Sequence, residues 1–427
     1  MDAAKASSAL RVQDIIQCEH CGRCLEVCPT YQVSRTETLS ARGRWDLISG
    51  AVSGELTPGP RYFESLSQCL HCMACSAICP KGVNVEHMVR GAKADFPQDG
   101  FQAFVRKAVF KGVLMNRPMM KTFIRAITLA RRFFPAGSDR VSRHLPLFLT
   151  DLLNGFAIPH MESRSLFRKF PAKVPAAKDV PFQGTVAYFS GCFNSLVDPV
   201  PAEDTIHVLA ENGFDILIPP DQTCCGAPLF FSGDREMTLG MIRKNTQVLE
   251  GADRVLTSCA TCGSMLRNEY PALSEDYPAL SRKARALASR TVDFAELLKG
   301  IDIRKGRIPI NRRVTVHDPC DLVRGQGISN EIREVLSAIP GLEIVEMEHS
   351  ARCCGGGGTF SLSHPELAEA IGEKKIQSIL DTGASMVVTG CPGCILQIGR
   401  ILAREGYAIP VVHPAELLAA SYGYRRL

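Results

Sequence analysis

The fold is decided by TVAYFSGCFNSLVDPVPAEDTIHVLAENGFDILIPPDQTCCGAP, residues 185–228. TVAYFSGC is a short run rich in β-branched and aromatic residues and reads as a strand. DTIHVLAENG carries apolar residues at helical spacing and stops at Gly213, and FDILIP is a second strand. The pattern continues with MTLGMIRKNTQVLEG as a helix ended by Gly251 and RVLTSC as a third strand. Strands alternating with helices imply a parallel sheet covered on both faces. Cysteines punctuate the unit: Cys192, then the adjacent pair Cys224 and Cys225 followed by Gly226, then Cys259 and Cys262 spaced as CxxC.

The same unit returns downstream as RVTVHDPC, NEIREVLSAI, LEIVEM, ELAEAIGEKKIQSILDTG and SMVVTGC, carrying Cys320, Cys353, Cys354, Cys391 and Cys394. Equivalent cysteines are 128, 129, 132 and 132 positions apart, and TVDFAELL at 291–298 matches VVHPAELL at 411–418. An internal duplication follows, over roughly 184–300 and 311–427. Cys192, Cys259, Cys320 and Cys391 each follow an apolar run directly, which puts them beyond the carboxyl ends of strands, where open α/β sheets carry ligands. Neighbouring side chains diverge from extended backbone, so an adjacent pair is poor at chelating one ion. It suits a larger iron-sulfur body reached from several sides, which Gly226 and the run Gly355–Gly358 would let the backbone approach. Burial of ten inert thiols does not account for two fivefold sets at matched spacing.

Upstream, Cys18, Cys21, Cys24 and Cys28-Pro29 form one CxxCxxCxxxCP run, and Cys69, Cys72, Cys75 and Cys79-Pro80 form another. Each matches the bacterial run for 4Fe-4S clusters, in which the fourth cysteine ligates the other cluster. One cubane is therefore expected on Cys18, Cys21, Cys24 and Cys79, the other on Cys69, Cys72, Cys75 and Cys28. Zinc, the competing metal for CxxC pairs, does not require two complete runs with the terminal proline. Arg42 and Arg44, beside the lone Trp45, read as a helix start packed on the clusters or as an anion or partner contact. His20 and His71 fall inside the runs; solvated surface is the expectation for both, with tuning of cluster potential as the alternative. His317 and Asp318, just before Cys320, are expected to cap a turn, the other role being proton delivery to a reduced substrate. The glycine run 355–358 has no GxGxxG or Walker context, so nucleotide binding is not expected.

This cysteine arrangement resembles the CCG domain shared by heterodisulfide reductase catalytic subunits and the iron-sulfur subunits of glycolate oxidase and related flavin dehydrogenases. The resemblance covers the head and both repeats, about three quarters of the chain. It implies that a complete five-cysteine set holds a noncubane 4Fe-4S cluster, so Cys192, Cys224, Cys225, Cys259 and Cys262 would serve one and Cys320, Cys353, Cys354, Cys391 and Cys394 another, giving one or two beyond the cubanes. His317-Asp318-Pro319-Cys320, Gly325-Gln326-Gly327-Ile328 and Pro392-Gly393-Cys394-Ile395-Leu396-Gln397-Ile398 look most like the glycolate oxidase subunit. Cys391 and the fully furnished first repeat depart from that pattern and lean toward the heterodisulfide reductase D-subunit group.

The expected architecture is therefore α+β and α/β: a helical, ferredoxin-like two-cluster domain over 1–95, a basic linker over 96–183, and the duplicated parallel-sheet CCG domain. At 427 residues, 45% hydrophobic and 22% charged, the chain can bury large cores without disulfide staples, so 18 cysteines need a chemical explanation. The opening does not read as a secretory signal and no run of 18 apolar residues occurs, so a reducing cytoplasm is expected, with peripheral contact at the inner membrane face as an option. Residues 90–180 hold 17 Lys or Arg against 6 Asp or Glu, and 11 of the 20 phenylalanines. That segment suits a helical linker, or an amphipathic surface for a membrane or partner; nucleic acid is not expected. With no recognisable flavin or nicotinamide site, the chain reads as an electron conduit. The resemblance implies a separate FAD-containing dehydrogenase subunit that oxidises a 2-hydroxy acid, glycolate or D-lactate, and a membrane quinone, membrane anchor or soluble acceptor at the other end. The alternative is a heterodisulfide reductase D-like subunit that reduces a disulfide at its own noncubane cluster.

Overall fold

The protein is described by a computed structural model covering residues 17–95 and 166–426. The duplicated part folds as two sheets. The first contains β1 (Lys173–Val174), β2 (Gly184–Tyr188), β3 (Phe214–Leu217), β4 (Val255–Thr257) and β5 (Thr291–Asp293), in the order β1-β3-β2-β4-β5. The second contains β6 (Arg312–Val316), β7 (Leu342–Ile344), β8 (Met386–Val388) and β9 (Val411–Val412), in the order β7-β6-β8-β9. Leaving β1 aside, the two orders superpose strand for strand and every pairing is parallel. The central strands are buried at nearly every position, as a sheet covered on both faces requires.

β1 lies in the stretch expected to be helical linker. Lys173 and Val174 instead pair antiparallel with Leu217 and Ile216, closing the edge of β3. The remainder of the basic, phenylalanine-rich segment falls outside the described residues.

Local signals set the helices. Asp234 accepts from Met237 N to start Arg235–Val248. The matching octets at 291–298 and 411–418 are each a strand followed by a capping box: Asp293 with Glu296 opens the helix Phe294–Lys299, and His413 with Glu416 opens Pro414–Tyr422. These closing helices cross over. Pro414–Tyr422 packs on Val200–Glu211 of the first repeat, and Phe294–Lys299 packs on Glu331–Leu336 of the second. Such reciprocal docking is what a two-fold relation produces. One apolar core accordingly runs through both repeats, from Val186 and Ile216 to Val388 and Leu417.

The head is helical. Ala41–Ser53, capped by Ser40, and Val85–Asp95 enclose a core of Trp45, Ile48, Leu66, Met88 and Val89. It does not stand apart: Leu70, Cys72 and Ala74 share an apolar cluster with Cys353, Phe360 and Ile371 of the second repeat. No helix among the described residues is long and apolar enough to cross a membrane.

Candidate metal centres

In the head, the two cysteine runs follow one backbone path. His20 and His71 have φ of 52° and 54°, and Gly22 and Met73 have 79° and 58°. Each left-handed turn launches a five-residue helix, Arg23–Val27 or Ala74–Ile78. Cys28 and Cys79 then leave those helices in extended conformation, and Pro29, with φ already fixed, opens the next helix. The result is an exchange of fourth cysteines. Cys18, Cys21, Cys24 and Cys79 line one hollow of about 480 Å³, and Cys28, Cys69, Cys72 and Cys75 line another of about 370 Å³. Cys75 also borders the first hollow, so the two adjoin. Of the 18 cysteines only Cys21 is exposed.

The surroundings separate the expectations for the flanking residues. His20 is half exposed, edge-on to Trp45 at 4.9 Å. His71 corrects the expectation of solvated surface: it is buried, its Nδ1 3.0 Å from Glu86 Oε1, its ring stacked on Phe231 at 4.9 Å. Burial, reinforced by Lys93 and Arg90, holds it well below the ordinary histidine range, so it is neutral. Arg44 is buried and donates to Ser65 O, Gln68 O and Thr30 Oγ1, and so ties the helix start to the walls of the second hollow, while Arg42 pairs with Glu37 at the surface.

In the repeats, the ten cysteines stand in one linked series, each thiol perturbing the next. Cys192 meets Cys224, Cys224 meets Cys225, Cys225 meets Cys262, and Cys262 meets Cys259. Cys259 meets Cys391 across the two-fold seam, and the series continues through Cys394, Cys354 and Cys353 to Cys320. Each adjacent pair points its members at different partners, as divergent side chains must. Neighbouring thiols pull Cys225 down to about 5, chiefly Cys224, and Cys354 and Cys391 well below the ordinary thiol range. At Gly191, φ is +64° and an added Cβ would stand 2.9 Å from Cys262 Sγ, so glycine alone lets this loop close over the sulfurs. The run Gly355–Gly358 serves two surfaces: Gly356 comes near Cys354 Sγ, and a Cβ on Gly357 would strike Leu70 of the head.

His317 and Asp318 do not cap. The helix Cys320–Gln326 has no side-chain cap; Asp318 makes a two-pronged pair with Arg333 at 2.9 and 3.0 Å. His317 is buried with a ring nitrogen, Cys354 Sγ and Cys394 Sγ all within 4.8 Å of one another. Its Nδ1 lies 3.1 Å from Ser350 O, which can only accept, so Nδ1 carries a proton. The turn reading failed because the residues before Cys320 are held by tertiary partners that local sequence does not contain.

Sequence reasoning also missed Lys375, Asn245 and Asp321. Lys375 is fully buried, with its Nζ on His349 O and Ser350 O, and burial brings it down to about 8. Asn245 bonds Cys224 O and Tyr270 Oη. Asp321 receives Thr261 Oγ1, which also touches Cys391 Sγ at 3.8 Å, and burial pushes its carboxyl up to about 7. The available signal was register: Ala368, Ile371, Gly372, Lys375 and Ile376 share one buried helix face.

The donor set is thiol throughout, four per head hollow and five per repeat. Thiolate donors are what iron-sulfur centres require, and the quartets line hollows rather than packed core. Fold and site thus define a class: a cysteine-rich iron-sulfur protein with a two-cluster head on a duplicated α/β body. The 4Fe-4S dicluster domain family matches residues 14–83, and the cysteine-rich domain family matches 186–267 and 314–399. The chain is 31% identical over 424 residues to the probable glycolate oxidase iron-sulfur subunit of Bacillus subtilis (strain 168), covering 96% of this chain and 95% of that protein. It belongs to the glycolate oxidase iron-sulfur subunit family. It is also 25% identical to the D-subunit of the dihydromethanophenazine:CoB–CoM heterodisulfide reductase of Methanosarcina barkeri (strain Fusaro), over 98% of this chain and 97% of that one. Among solved structures, a hypothetical protein from Helicobacter pylori shares the fold, with a TM-score of 0.53, 9% identity, and coverage of 95% of this chain and 72% of that one.

Proposed function

We propose that this chain is the electron-carrying subunit of a flavin-dependent 2-hydroxy-acid dehydrogenase complex acting on glycolate or D-lactate, in a reducing cytoplasm. A separate FAD-containing subunit removes two electrons from the substrate, and this chain forwards them singly to a membrane or soluble acceptor. In this reading the head quartets hold two cubanes and the two fivefold sets hold noncubane clusters. When bound, such clusters accept and release one electron at a time.

The observation that carries the reading is the succession of thiol sites from head to body. It begins at exposed Cys21, passes the shared wall at Cys75, and reaches Cys72, which shares a buried cluster with Cys353 and Cys320 at the end of the cysteine series. The chain's own residues hold this path rigid. Arg324 donates from one nitrogen to Cys72 O at 3.2 Å and from another to Ala351 O at 2.9 Å, which pins the head to the second repeat. The test is anaerobic purification with identification of co-purifying subunits and counts of iron and acid-labile sulfide. About 16 iron per chain, a flavoprotein partner and dye reduction driven by 2-hydroxy acids are expected. A count near 8 would confine clusters to the head.

A second reading, disulfide reduction by the chain itself, is favoured by one observation: both fivefold sets are complete and they adjoin at Cys259 and Cys391. Reduction of disulfides by the isolated chain with an artificial donor would establish it in place of the first.

A further inference from the structure

The two repeats bring chemically unlike side chains to equivalent places beside their cysteines. The helices Arg235–Val248 and Pro365–Leu380 start 130 positions apart, and at that offset buried Thr238, Met241, Ile242 and Asn245 coincide with Ala368, Ile371, Gly372 and Lys375. Lys375 therefore stands where the first repeat has a neutral amide. Both reach back to the loop that carries the adjacent cysteines: Asn245 Nδ2 donates to Cys224 O at 2.9 Å, and Lys375 Nζ donates to Ser350 O at 3.0 Å. The second difference lies at the strand ends. The 128-position offset of Cys192 and Cys320 sets His317 opposite Phe189, an apolar residue of the first repeat's core.

His317 and Lys375 act as a unit, because Ser350 O accepts from His317 Nδ1, Lys375 Nζ and Asp318 N. That shared carbonyl, three residues before Cys353 and Cys354, holds the cation beside the ring that faces Cys354 and Cys394. Lys375 Nζ donates to three acceptors, His349 O, Ser350 O and Met347 Sδ, a demand that an ammonium with its three protons meets. Among the described residues no carboxylate pairs with Lys375. Two acids beside Cys320 are engaged elsewhere: Asp318 by Arg333, and Asp321 by Thr261 on the side facing Cys391. In a buried site such a charge is weakly screened and stabilises whatever extra electron the site takes up.

We infer that His317 and Lys375 make the centre of the second repeat the more easily reduced of the two, so that a single electron shared between the repeats resides on the second. It rests on the reading that both fivefold sets hold iron-sulfur centres. The step is one electron leaving the first centre and entering the second; no bond is made or broken and no proton moves. Both are positioning residues, acting through the potential of the centre they flank.

The test uses full-length, anaerobically isolated protein, counted for iron and then reduced stepwise under electron paramagnetic resonance, with Cys353→Ser identifying the second-repeat signal. Wild type should reduce that signal first. Lys375→Asn and His317→Phe, which install the first repeat's residues, should each move it to lower potential with the first-repeat signal unmoved. A tenfold change in the one-electron equilibrium reads as about 59 mV. Because replacing a buried lysine can unfold the repeat, the reciprocal Asn245→Lys is the second arm, and it should raise the first-repeat signal. About 16 iron with the first-repeat signal reduced earlier, or with both signals unmoved by all three changes, overturns this inference alone. A count near 8 overturns the site reading and the inference with it.

Discussion

At the scale of single residues, the thiols differ in what surrounds them, and this decides which substitutions are informative. Cys354 has Cys353, Cys394 and His317 as its neighbours. Cys354→Ser should abolish turnover while the head's cubane signal remains, since no head cysteine shares its series; loss of both signals would show that the centres do not load independently. Gly191 tests the first repeat from the other side. A methyl at this left-handed position meets Cys262 Sγ, so Gly191→Ala should drop the iron count from about 16 to about 12 and spare the second repeat.

At the scale of elements, the closing strand-helix units of the repeats carry opposite titrating caps. Asp293 and His413 occupy the same place in the matched octets, both buried. Burial raises the Asp293 carboxyl from 3.8 to about 7. A group whose folded value is raised contributes stability fully below its unfolded value and loses it as pH rises through the folded one. The Asp293 contribution is therefore lost as pH rises from 3.8 to about 7, and the cost is full above that. Asp293→Asn keeps the cap's acceptor and should flatten the fall in urea midpoint from pH 5 to pH 8; an unchanged slope would show that Asp293 does not titrate in that window. His413 runs the other way: burial lowers it to about 3, so its contribution is present above pH 6.5 and is lost on acidification.

These elements also show how much the sequence disclosed. Both strand-helix series and the duplication were legible, because period and spacing are local. His71 and His317 were misread because their burial is set by Phe231 and by the Cys354 loop, far along the chain. Glu269 was invisible for a different reason. One turn of π-helix, Met265–Glu269, follows Cys262 and shifts the register by which a helix face is read. The second repeat has no such turn in Pro392–Arg404.

At the scale of the whole molecule, that turn delivers Glu269 to the head. Arg90 lies between Glu86, at 2.8 Å, and Glu269, at 2.6 Å, with its guanidinium 4.3 Å over Phe230. Breaking a buried pair from one side leaves an uncompensated charge, at a cost of about 3–5 kcal/mol. Arg90→Met should therefore loosen the head from the first repeat, seen as faster hydrogen exchange in Val85–Asp95, with the strands at their wild-type rates. Equal acceleration in both would mean that head and body unfold as one unit.

The seam between Cys259 and Cys391 has a consequence for ancestry and assembly. A half-length forebear would have needed to find a twin before it possessed a complete row, and dilution would have parted the halves. Tandem fusion holds the twins at permanently high local concentration. It also freed each half to drift, so that one side could acquire a lysine and a histidine that an identical pair would have had to carry twice.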